Sequence, residues 1–131
     1  MAFYLDTSAA VKLVVAEAET DALRAWLKKS SAEIVSSDLL RTELLRATRR
    51  GAPDAMGQAR AVLDSVTLMT VTTPVFERAG ELDPNLLRSL DAIHLASALQ
   101  LGDELEGIIG YDTRLLEAAE LHGITTVSPG S

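Results

Sequence analysis

Five short apolar runs, each set apart from the next by at least one stretch of helical periodicity, restrict this chain more than any other feature of its sequence. The runs are Ala2–Leu5, Glu33–Ser36, Thr67–Val71, Gly107–Ile109 and Thr125–Val127, and their length and residue types predict strands. Helical patterns fill the intervals: Ser8–Val15, Thr20–Lys29, Asp38–Arg50 with Gly51 as its stop, and Pro53–Val66. A further helix opens at Pro74, another covers Ser89–Leu101 after the breakers Asp83, Pro84 and Asn85, and the last covers Thr113–His122 with Gly123 as its stop. Strands that alternate with helices are joined by right-handed crossovers and pair in parallel. The expected fold is therefore α/β, a three-layer sandwich around a central five-stranded parallel sheet. A chain of 131 residues, 47% hydrophobic and 24% charged, suits a single domain over 1–131 with one core.

Composition narrows the chemistry. With no cysteine there is no disulfide, no thiolate nucleophile and no cysteine-bound zinc, so any metal must be held by oxygen or histidine. No apolar run approaches the roughly 20 residues of a membrane helix, and Met1–Leu5 lacks the pattern of a signal peptide, so a soluble cytoplasmic protein is expected. The net charge of −7 argues against gripping nucleic acid by overall attraction. Distribution matters more: Arg41, Arg46, Arg49 and Arg50 fall within ten residues, a grouping whose ordinary explanation is a solvated helix face.

In parallel α/β sheets, ligands bind beyond the carboxyl ends of the strands. Asp6 and Asp112 both stand there, each after an apolar run and before a helix, where either would also serve as a helix cap. Glu43 falls between Leu39, Leu40 and Ala47 in the apolar sector of its helix. A carboxylate so placed needs compensation, by a salt bridge such as one to Arg50 or by a cation. Left uncompensated, it would make Glu43→Gln neutral or stabilising in the absence of metal. Asp91 opens a segment that is apolar almost all round, where the helix dipole alone would favour an acid in the first turn. His94, one turn on, is read as structural, since one histidine without a second is weak grounds for a ligand or base. Four carboxylates on separate elements that converge at one sheet edge would repel one another, and a divalent cation relieves that repulsion. Oxygen donors without thiols suit Mg²⁺ or Mn²⁺, which activates water and neutralises phosphate charge.

Taken in order, Tyr4-Leu5-Asp6-Thr7-Ser8-Ala9, Glu43, Asp91-Ala92-Ile93-His94-Leu95-Ala96 and Tyr111-Asp112-Thr113-Arg114-Leu115 resemble the PIN-domain family, most of all its VapC-like toxins. The similarity runs from Phe3 to about Pro129 and lies in the ordered set. The resemblance implies a Mg²⁺- or Mn²⁺-dependent ribonuclease acting on single-stranded RNA. Asp6 and Asp91 would be the principal metal ligands, Glu43 a ligand directly or through water, and Asp112 a fourth carboxylate available to a second ion. Thr7 and Ser8 match hydroxyl residues that support the first acid. Arg46, Arg49, Arg50 and Arg114 become candidates for RNA phosphate contact, with Lys12 a weaker one. The resemblance further implies a homodimer, neutralised by a small antitoxin that lays its C-terminal segment across the acidic groove. One position departs from the family pattern: Gly110 stands where a Thr or Ser often precedes the last acid, so a hydroxyl that steadies Asp112 is missing.

Alternatives with similar layering fit less well. A phosphoacceptor receiver domain needs an acidic pair after the first strand and a lysine after the last, yet Thr125–Ser131 holds no basic residue. A haloacid-dehalogenase-type phosphatase needs a second Asp at the position of Ser8. A PIN-like module reduced to binding would not need all four acids. An RNA-processing nuclease without an antitoxin stays open at the level of sequence.

Overall fold

A computed structural model describes residues 1–131 and contains the expected five-stranded parallel sheet. The strands are β1 (Ala2–Leu5), β2 (Glu33–Ser37), β3 (Thr67–Met69), β4 (Leu105–Ile109) and β5 (Thr126–Val127). They lie in the order β3-β2-β1-β4-β5, with every neighbouring pair parallel. The helices are α1 (Thr7–Lys12), α2 (Thr20–Lys29), α3 (Leu39–Gly51), α4 (Met56–Ser65), α5 (Thr73–Glu81), α6 (Ser89–Leu99) and α7 (Thr113–Leu121).

Side chains of a strand alternate between faces, and the core divides accordingly. Tyr4 and Ile108 enter one buried cluster, with Leu95 and Ala98 of α6 and Leu115, Ala118 and Ala119 of α7. Their neighbours Leu5 and Ile109 enter the cluster on the opposite face, with Ala9 and Ala10 of α1, Leu23 of α2, Leu40 and Leu44 of α3 and Val62 and Leu63 of α4. A parallel sheet covered on both faces is thus made of strands apolar on both sides, which is why these runs read as continuous rather than alternating. A third, smaller cluster seats Val75 and Ala79 of α5 on Ala92 and Ala96 of α6.

Several boundaries differ from the sequence reading. Gly51 is the last residue of α3 rather than its stop; the helix ends because Ala52 precedes Pro53, whose ring disfavours the helical region for it, and Ala52 takes φ −153° and ψ 69°. The segment from Pro53 then starts as a 3₁₀ turn, Pro53–Ala55, before α4 proper. The first helix stops at Lys12, three residues short of the periodic pattern. Gly123 does terminate the last helix, with a left-handed φ of +77° that a side chain would resist.

Candidate active site

The chain winds from β1 outward to β2 and β3, then crosses to the other side of β1 to form β4 and β5. The strand order therefore reverses between β1 and β4, and the carboxyl ends of these two strands are where parallel α/β sheets bind ligands. Asp6 directly follows β1 and Asp112 follows β4 by three residues. Both do cap their helices: the Asp6 carboxylate accepts from the Ser8 amide at 3.4 Å, and the Asp112 carboxylate from the Arg114 amide at 3.0 Å. Capping does not exhaust either residue. Asp6 is only 4% exposed and takes part in no ion pair, and burial pushes its carboxyl above the usual range against the opposing pull of His94 and Ser8.

Ser8 ties the two strand exits together. Its hydroxyl donates to Asp6 Oδ2 at 2.7 Å and accepts from the Tyr111 amide at 2.8 Å. This contact needs Gly110: a Cβ there would stand 3.2 Å from Asp6 Cβ and 3.4 Å from both Asp6 Oδ2 and Ser8 Oγ. The missing hydroxyl at position 110 is thus the condition for a hydroxyl arriving from α1. It steadies Asp6 rather than Asp112.

On α3, Leu40, Leu44 and Thr48 form the buried stripe and Glu43 sits at its border, partly buried. Arg50 does not compensate it. Seven residues on, it lies about 10 Å further along the helix axis and is exposed. The partner comes from α6 instead: His94 Nε2 lies 2.5 Å from Glu43 Oε1, and the Thr7 hydroxyl donates to the same oxygen at 2.7 Å. His94 Nδ1 lies 2.7 Å from the Tyr4 hydroxyl, and both residues are buried. Burial alone would push His94 down, but the hydrogen bond to Glu43 and the charges of Asp6, Glu43 and Asp91 outweigh it and hold the imidazole above its ordinary value. Glu43 moves the opposite way: burial raises it, and the His94 contact more than reverses this. The two shifts agree on an imidazolium–carboxylate pair. At Nδ1 the direction of the Tyr4 contact follows the protonation state of the imidazole.

Asp91 lies in the first turn of α6, 9% exposed, and its partner is Arg88 at the cap of that helix. Arg88 Nε reaches Asp91 Oδ2 at 3.1 Å while Nη2 reaches Asp112 Oδ2 at 3.2 Å, so one guanidinium joins the two acids. The four acids thus fall into three local groups: Asp6 with Ser8, Glu43 with Thr7 and His94, and Asp91 joined to Asp112 through Arg88.

Comparison with known proteins identifies the family and the fold. The family model described as PIN domain matches residues 3–124. Ribonuclease VapC47 of Mycobacterium tuberculosis is 43% identical, the alignment covering 98% of this chain and 97% of that protein. The chain belongs to the PIN-domain family. Within it the chain is of the VapC type, for ribonuclease VapC46 of the same organism is also 43% identical over 98% of both chains, and ribonuclease VapC35 is 38% identical over 97% and 96%. The fold recurs in the crystal structure of M. tuberculosis VapC20, described as a sarcin-ricin-loop-cleaving toxin, with a TM-score of 0.75, 18% identity and coverage of 97% and 99%. It recurs too in a toxin–antitoxin complex from Klebsiella pneumoniae, with a TM-score of 0.71, 20% identity and 97% coverage of each chain.

One residue that contacts these acids has only a weak signal in the sequence: Arg88, whose spacing of three residues from Asp91 is that of a helical ion pair. His94 is buried and hydrogen-bonded, as a structural histidine would be, but its link to Glu43 spans 51 positions, which no local pattern encodes. The arginines separate into two groups. Arg46, Arg49 and Arg50 are exposed and line one shallow cleft on α3, whereas exposed Arg114 lines another with Leu86, Leu87 and Leu121. Lys12 is held by Glu19 at 2.8 Å and Glu17 at 3.4 Å and lies over the Tyr111 ring. No three acid or histidine side chains meet in a metal-ligating arrangement here. The acids nevertheless suit a hard divalent cation: they offer carboxylate oxygens only, and Asp6 is a buried carboxylate that makes no direct ion pair.

Proposed function

We propose that this PIN domain, spanning 1–131, is a toxin-type endoribonuclease that hydrolyses single-stranded RNA with Mg²⁺ or Mn²⁺ held by Asp6, Asp91, Glu43 and Asp112. Membership of the VapC branch carries the ribonuclease activity. The observation that carries the site is Asp6: a carboxylate buried at the switch point without an ion pair, beside three further acids on separate elements. When bound, the cation supplies Lewis acidity toward the scissile phosphate and toward attacking water. The protein supplies the rest. Asp6 is aimed by Ser8, Glu43 is held on both sides by Thr7 and His94, and Asp112 is pinned by its own helix cap. Arg46, Arg49 and Arg50 form the nearest cationic face on the helix that carries Glu43, and with Arg114 they bind RNA phosphates.

The toxin reading is favoured over an antitoxin-free nuclease by the VapC type of the relatives that span the whole chain. It brings a small antitoxin and a second copy of this chain as partners. The exposed side chains of Leu86, Leu121, Leu90 and Phe76 offer apolar surface for such contacts. No helix is long and apolar enough to cross a membrane.

The test is cleavage of a single-stranded RNA by purified wild type, Asp6→Asn and Asp91→Asn with Mg²⁺ or Mn²⁺. Each variant is expected to lose activity by about a hundredfold or more while keeping its circular dichroism spectrum. A folded Asp6→Asn protein that cleaves at the wild-type rate would sink the site assignment.

A further inference from the structure

The position of Arg88 has a consequence for metal loading. Its backbone is extended (φ −63°, ψ 149°) at the cap of α6, and the side chain folds back over the first turn to Asp91 and across to Asp112. The oxygens it takes, Oδ2 of Asp91 and Oδ2 of Asp112, belong to two of the proposed metal ligands. Both oxygens of Asp112 are engaged, since its Oδ1 accepts the Arg114 amide at the cap of α7. A cation that engages Asp112 therefore competes with the helix cap and with the arginine. Displacing the arginine is easier: its side chain is 61% exposed, so solvent can receive the guanidinium, whereas loss of the cap strands a helix-terminal amide. Two positive charges cannot share those oxygens without strong repulsion.

We propose that Arg88 is an internal counter-ion of the metal-free site, neutralising Asp91 and Asp112 and leaving them when the divalent cation binds. The proposal rests on the metal-site reading above. It places one guanidinium between two acids on separate elements. It also makes metal affinity a balance, in which the same guanidinium that steadies the metal-free protein weakens the cation's hold.

Mn²⁺ binding measured by titration calorimetry, without RNA, tests it in wild type, Arg88→Gln, Arg88→Lys and, as a control for net charge, Arg60→Gln on the exposed face of α4. Arg88→Gln is expected to bind Mn²⁺ roughly three- to tenfold more tightly at low ionic strength. The gain is expected to shrink in about 1 M salt, where the Debye length falls to roughly 3 Å. Arg88→Lys keeps the charge and is expected to stay within about twofold of wild type, as is Arg60→Gln. Metal-free Arg88→Gln is expected to melt below wild type and to regain more on Mn²⁺ addition, whereas a merely structural arginine would lower both melts equally. Equal or weaker Mn²⁺ binding by Arg88→Gln, in a wild type that does bind, overturns the proposal and leaves the metal site standing. Absence of binding by wild type itself overturns the metal site and the counter-ion role together.

Discussion

At the scale of single residues, Glu43 and His94 decide how the metal-free site behaves. The sequence leaves the Glu43 charge without an obvious partner, which predicts a neutral or stabilising Glu43→Gln. The structure supplies a partner in the buried His94, whose pKa is held up by Glu43, so removal of the carboxylate deprives the imidazole of a short hydrogen bond instead. Glu43→Gln is accordingly expected to destabilise the metal-free protein by about 1–2 kcal/mol at pH 6, measured by urea unfolding. The pair also sets a pH dependence. His94 is raised above its ordinary 6.5, so its contribution is complete below that value and is lost as pH rises through the folded value. Glu43 is lowered from 4.5, so its contribution is present above that value and is lost as pH falls through the folded value. Asp6, raised from 3.8, acts oppositely and costs stability once ionised in the folded state. The pair therefore contributes fully between about pH 4.5 and 6.5, and the metal-free protein should lose stability as pH climbs past neutral. A melting temperature flat from pH 6 to 9, or one unchanged by Glu43→Gln, would contradict the charged pair.

At the scale of elements, two small residues control how closely the strands and their following turns approach. A Cβ on Gly107 of β4 would stand 2.8 Å from the Thr125 carbonyl oxygen and 3.2 Å from Phe3 Cε1. The same carbonyl accepts the Ile108 amide at 2.9 Å, so the sheet cannot relax there without losing a ladder bond. Gly107→Ala is expected to cost about 1–3 kcal/mol in chemical denaturation, the usual range for overpacking. Ser8 plays the complementary part at the carboxyl edge, where its hydroxyl joins the exit of β1 to that of β4. Ser8→Ala is expected to cost about 1–2 kcal/mol, because the buried Tyr111 amide loses its acceptor and Asp6 its closest donor. It should also slow RNA cleavage; an active and equally stable variant would show that Asp6 is held by packing alone.

At the scale of the whole molecule, the proposed RNA binding by a chain of net charge −7 calls for a local cationic face, and Arg46, Arg49 and Arg50 line one cleft together. RNA affinity should therefore depend on one face rather than on total charge. In an Asp6→Asn background, which prevents turnover, replacing Arg46, Arg49 and Arg50 by Gln is expected to weaken RNA binding across sequences. The slope of log affinity against log salt should fall by about 0.7 for each phosphate contact removed. An unchanged slope would reassign these arginines to a solvated helix face. Chelation is expected to abolish cleavage by the wild type, with recovery on Mn²⁺ addition and without loss of fold, since the core clusters on both faces of the sheet are built without the site.

Periodicity along the sequence determined the layers, because alternating strands and helices admit only right-handed crossovers and hence a parallel sheet. It also determined which acids to inspect, since Asp6 and Asp112 stand at strand exits and Asp91 and Glu43 break otherwise apolar patterns. Those are local properties, and local properties are written in neighbouring residues. What tertiary structure alone decided is which side chain answers each acid. The contact of Glu43 with His94 spans 51 residues, that of Ser8 with Tyr111 103, and that of Arg88 with Asp112 24. Each depends on how α3, α6 and α7 dock on the sheet, and docking follows from the summed packing of two cores rather than from any motif. The four acids can be read from the chain; their compensation by an imidazole, a hydroxyl and a guanidinium appears only once the sheet edge is assembled.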